Sequence, residues 1–90
     1  MLISFIPIAA QVLSIYPNPF TNSITVKLNS LSESEFKITF TDVLGREIYT
    51  TKIENGVSIK TISTSQLAQG VYWLKITNGK NSFVSKLIKE

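Results

Sequence analysis

Val71-Tyr72-Trp73-Leu74-Lys75-Ile76-Thr77, followed by Asn78-Gly79 and then by Asn81 through Lys89, is the stretch that decides the fold. Asn-Gly is a strong signal for a two-residue hairpin, because both central residues of such a turn need positive φ. The turn therefore joins two strands. In the first, Tyr72, Leu74 and Ile76 fall on one side and Val71, Trp73 and Lys75 on the other, the period of two that a pleated strand imposes.

The same pattern recurs toward the N-terminus, with turn residues every eight to twelve positions, as in a sandwich or barrel. Val12–Tyr16 is closed by Pro17-Asn18-Pro19, where two missing amide donors stop any ladder. Ser23–Asn29 alternates Ile24, Val26 and Leu28 with Thr25 and Lys27. Phe36–Thr41 alternates Phe36, Ile38 and Phe40 with Lys37, Thr39 and Thr41. Asp42-Val43-Leu44-Gly45 reads as a turn in which the Asp side chain accepts from backbone amides and Gly45 takes positive φ. Arg46–Ile53 is a fourth strand. Asn55-Gly56 turns the chain into a fifth, Val57–Ile62, with Ser58 and Lys60 as its polar phase. Ser63–Gly70 alone carries helix-like signals, enough for about one turn at a corner. Tyr72, just after this corner, resembles a tyrosine corner whose hydroxyl ties strand to loop.

Seven strands are expected in an immunoglobulin-like or fibronectin-like antiparallel β-sandwich, with a small barrel as the alternative. The expected core is Ile24, Val26, Leu28, Phe36, Ile38, Phe40, Leu44, Ile48, Tyr72, Leu74 and Ile76. Ninety residues make a single small domain. The apolar segment 1–11 is too short to span a bilayer and lacks the basic start of a secretory signal, so it reads as a linker or the remnant of an upstream cargo.

Composition removes most chemistry. The chain has neither cysteine nor histidine, and so lacks the usual zinc ligands, any disulfide and the commonest neutral-pH base. Serines have no histidine to activate them, and Ser85 and Lys86 point to opposite faces of one strand. Glu33 and Glu35 are the sole close carboxylate pair and lie in a polar loop, while Asp42 is one carboxylate where calcium wants several oxygens. No catalytic residue, cofactor, metal or small-molecule substrate is expected. The net charge of +3 is spread singly along the chain, against the clustered pattern of a nucleic-acid binder. An outward Trp73 is the one candidate anchor for recognition.

Four landmarks in order carry a family resemblance: Tyr16-Pro17-Asn18-Pro19-Phe20 with Ile24-Thr25-Val26, then Asp42-Val43-Leu44-Gly45-Arg46-Glu47, then Leu67-Ala68-Gln69-Gly70-Val71-Tyr72, and finally Lys86-Leu87-Ile88-Lys89. Together, over residues 12–90, they resemble the type A C-terminal sorting domain of type IX (Por) secretion. The resemblance implies a non-catalytic sandwich at the C-terminus of a cargo protein, carried through the periplasm to the cell surface or medium. Its implied partners are the outer-membrane translocon, shuttle and sortase proteins of that system and a covalently attached N-terminal cargo, with a sortase-like peptidase removing the domain at or before Val12. It makes Gly70, Tyr72, Lys86, Leu87, Ile88 and Lys89 the residues tied to recognition, and Pro17, Asn18, Pro19, Asp42 and Gly45 the holders of turns. Family members carry a large cargo and a Sec signal peptide in front, whereas eleven residues precede Val12 here. The rival reading is an extracellular adhesion or carbohydrate-associated module binding through Trp73.

Overall fold

Two antiparallel sheets face each other in the computed structural model, which describes residues 12–29, 34–78 and 82–90. The segment 1–11, read above as a linker or cargo remnant, lies outside the described residues. Seven strands follow in order: β1 (Val12–Tyr16), β2 (Ser23–Leu28), β3 (Phe36–Asp42), β4 (Glu47–Ile53), β5 (Ile59–Ser63), β6 (Gly70–Thr77) and β7 (Ser82–Lys89). One sheet has the order β1-β2-β5, the other β4-β3-β6-β7. The expected immunoglobulin-like sandwich is thus the observed architecture.

The inward phases of both sheets meet in a core of Phe20, Ile24, Val26, Leu28, Phe36, Ile38, Phe40, Ile53, Ile62, Leu67, Tyr72, Leu74, Ile76 and Leu87. Cross-strand register explains the selection, because directly opposed residues share a face. Ile24 pairs with Ile62 in one sheet, and Ile38 with Ile76 and Phe40 with Leu74 in the other. Tyr49 adds its ring beside Phe40, with centroids 6.0 Å apart.

Two expected core residues are exposed instead. Leu44 is 74% exposed because it sits at the tip of the β3–β4 turn, outside any ladder that would aim it inward. Ile48 is 42% exposed for a reason of parity. It lies five residues before Ile53, so the two cannot share a strand face. Ile53 and Tyr49 take the inward phase, which turns Ile48 outward with Thr50 and Lys52, and a bulge that opposes Phe40 to Tyr49 but Thr41 to Glu47 then interrupts the ladder at Ile48.

The phase of β5 is likewise the reverse of that expected: Ile62 is buried and Ile59 is exposed, since pairing with Ile24 fixes the first. The strand begins later than expected, after a turn in which Val57 N–H donates to the Glu54 carbonyl and Gly56 has φ of 86°. The corner between β5 and β6 contains no helix. Its one turn is closed by Leu67 N–H donating to the Thr64 carbonyl, and it turns Leu67 and Thr64 into the interior.

Phe20 is fully buried although it belongs to no strand. Phe20→Ala is expected to lower unfolding free energy by about 3 to 5 kcal/mol, the range for truncating a buried aromatic. Leu44→Ala should stay within about 0.5 kcal/mol, as at exposed sites. Urea denaturation of the two variants measures both values.

Candidate functional site

The four sequence landmarks lie far apart in the chain, yet strand register brings all of them to one end of the sandwich. Tyr16 pairs with Thr25 and Ser23 with Ser63, which places the 17–22 crossover beside the end of β5. Asp42 pairs with Tyr72 and Gly70 with Lys89, which sets the 42–46 turn, the 64–69 corner and the last residues at that same end. Val12, paired with Leu28, and Thr77, paired with Ser82, mark the opposite end.

The crossover after β1 docks directly on β7. Both X-Pro bonds, Tyr16-Pro17 and Asn18-Pro19, are cis. Asn18 donates from Nδ2 to the Lys86 carbonyl at 3.1 Å and accepts at Oδ1 from Ile88 N–H at 3.0 Å. A primary amide has one donor and one acceptor side, so it continues the ladder as a strand residue would. Phe20 N–H then donates to the Ile88 carbonyl at 2.8 Å, and Glu90 N–H to the Phe20 carbonyl at 2.9 Å. This short parallel bridge occupies the edge of β7 over its final turns of pleat.

Beneath it lies a buried polar junction. Thr64 is fully buried, its N–H donating to the Asn22 carbonyl and its hydroxyl to the Thr21 carbonyl. Its own carbonyl accepts from the Lys89 ammonium, whose stem lies inside. Phe20 and Tyr72 stack at a tilt with centroids 6.4 Å apart, and the Tyr72 hydroxyl donates to the Ala68 carbonyl. That is the tyrosine corner expected from the sequence. Gly70 has φ of 149°, within the region that favours glycine, at the point where the corner becomes β6.

The Asp42 turn has the predicted geometry. Oδ1 accepts from the backbone N–H groups of Leu44 at 2.9 Å and Arg46 at 3.0 Å, Oδ2 accepts from the Arg46 guanidinium at 2.8 Å, and Gly45 has φ of 84°. The Arg46 backbone amide, then its side chain and the Leu44 amide, hold the Asp42 carboxyl below the usual range against the opposing pull of desolvation. These contacts use all the carboxylate's oxygens on its own turn.

The residues that the family resemblance ties to recognition therefore divide by depth. Lys86 and Ile88 are exposed, Gly70 is half-buried, and Tyr72, Leu87 and Lys89 are buried. Trp73, opposite Lys86, is 42% exposed on the outer face. Three features of this end go beyond the sequence reading: the burial of Phe20, the burial of Thr64 and the inward course of Lys89. Phe20 and Thr64 lie outside strands, where period-two reading has no purchase. Lys89 is two residues from Leu87, and that parity was the available signal.

Two outcomes are expected. The stabilisation from Asp42 is present in full above the unfolded aspartate pKa of about 3.9 and is lost as pH falls through the lower folded value. Asp42→Asn should therefore flatten the acid limb of a plot of urea midpoint against pH. Lys89→Met, which keeps the stem but removes the donor to Thr64, should cost about 1 to 3 kcal/mol, and Lys86→Met less than about 0.5. Thermal unfolding of the pair distinguishes them.

Residues 14–90 match the family model described as the secretion system C-terminal sorting domain. The chain is also similar to an endo-acting ulvan lyase of Formosa agariphila, with 32% identity over 82 residues. That alignment covers 90% of this chain and 15% of the lyase, so the likeness concerns a small part of the larger protein. The landmarks gathered at one end of the sandwich, together with the match to nearly its whole length, place the chain in the family of type IX secretion C-terminal sorting domains, which direct export to the cell surface or extracellular space as part of a larger precursor.

Proposed function

We propose that this chain is a non-catalytic address: it is carried by an N-terminal cargo, engaged by the type IX outer-membrane translocon and its shuttle and sortase proteins, and detached by a sortase-like peptidase at or before Val12. The observation that supports this reading best is the convergence of four separated landmarks on the end of the domain that also carries Lys86 through Lys89. A folded tag read by one receptor needs its identifying features within one contact area, and a single end of a small sandwich offers that.

Within this reading the landmark residues have two roles. Lys86 and Ile88 offer side chains to a receptor. Gly70, Tyr72, Leu87 and Lys89 act through shape, because their side chains or backbone set the corner and the course of the last strand. Pro17, Asn18 and Pro19 hold the crossover against that strand, and Asp42 and Gly45 hold the neighbouring turn. β1 begins at the opposite end and in the other sheet, so the side from which a cargo would be attached starts away from these features.

Fusing the chain behind a periplasm-targeted fluorescent reporter tests the proposal. Delivery to the surface or medium is expected in type IX-competent cells and not in matched secretion-null cells. Periplasmic retention in both, with the domain folded, would overturn it.

A further inference from the structure

The outer face of the four-stranded sheet carries an apolar cluster that is exposed among the described residues. Trp73 stands opposite Lys86 on β7 and Thr41 on β3, and Val71 stands opposite Ile88. Ile48 lies on the exposed side by the parity of β4, at the bulge facing Thr41, and Val43 and Leu44 form the turn that follows β3. Four of the exposed large apolar residues, Ile48, Trp73, Val84 and Ile88, thus belong to strands of this one sheet, with Val43 and Leu44 at its end. Contiguous exposed apolar surface rimmed by polar groups marks an interaction site.

The rim is basic. Lys86 is Trp73's direct neighbour, Lys75 lies one inward-outward repeat along β6, and Lys37 follows on β3. These three lysines make no salt bridge among the described residues, whereas Lys52 on β4 is paired with Glu35 at 3.3 Å. Glu47 is the acidic residue that β4 adds at its start.

Resting on the sorting reading, we infer that this face docks a protein partner whose contact surface is apolar at its centre and acidic at its edge, with Trp73 as the central anchor. Interface hot spots are enriched in Trp and cluster near the centre of the contact, and complementary charge at the rim speeds encounter and sets register. A second copy is a poor occupant, because both faces would bring the same basic rim of Lys37, Lys75 and Lys86 into the contact. An anionic polysaccharide would use Trp73 and the lysines but would leave Ile48, Val71 and Ile88 without a role.

The full chain, fused behind the fluorescent reporter, tests this in type IX-competent cells. Trp73→Ser and the double variant Lys75→Glu/Lys86→Glu should each reduce surface delivery by at least about tenfold. Ile59→Ser, exposed on the other sheet, should deliver like the unchanged chain, and circular dichroism should give all of them melting temperatures within a few degrees. A photo-reactive residue at position 73 should form a discrete polypeptide adduct that is missing in secretion-null cells and lost with the charge reversal, and one at position 59 should not. Undiminished delivery of Trp73→Ser overturns the docking face, as does an adduct formed equally from position 59. An adduct made of carbohydrate instead of polypeptide transfers the face to the polysaccharide reading. Failure of the unchanged chain to leave the periplasm overturns the sorting reading itself and this inference with it.

Discussion

The structure depends on one interaction above others, the seating of Asn18 and Phe20 against the end of β7. A sandwich of ninety residues has little buried area to spare, and its two sheets meet mainly through side chains packed across the core. The crossover after β1 adds main-chain hydrogen bonds between the sheets and drops an aromatic ring into the interior at the same point. It also covers part of a strand edge, which in an open sandwich is a template for unwanted pairing. The connection after β1 and the last strand are thereby held directly against each other.

That seating gives meaning to the polar residues around it. Thr64 has no place in an apolar core unless every polar group it carries is partnered, and the crossover carbonyls and the Lys89 ammonium supply those partners. Lys89 is a charged residue at the end of a strand, yet its ammonium is directed inward and its hydrogen bond stitches β7 to the corner between β5 and β6. Lys86, three residues earlier and of opposite parity, is left to the solvent. Two lysines of one short basic ending thus have different physical jobs.

The outer face follows a different logic. A sheet in a two-layer sandwich has one side turned to water, where polar residues are the default. Here the phase of β4, β6 and β7 puts Ile48, Trp73, Val84 and Ile88 on that side, at a cost in exposed apolar surface that packing does not repay. The family and the fold do not by themselves account for it, since a fold carries many functions through the sites placed upon it.

Much of this was determined by the sequence on its own. Strand positions, the Asp42 turn, the tyrosine corner at Tyr72 and most of the core are local consequences of alternation and of turn residues, and alternation is a property of the chain. Parity even contains the outward course of Ile48 and the inward course of Lys89, once Ile53 and Leu87 are taken as inward. The tertiary structure alone decided which of two competing phases each short strand adopts, because that choice belongs to the partner strand: Ile24 selects Ile62 over Ile59. It also decided the burial of Phe20 and Thr64, which lie in segments without a period, and the meeting of Asn18 with Lys86 and Ile88 across about seventy residues of chain. No local pattern encodes such a contact, since its energy is gained only when both sheets are already in place.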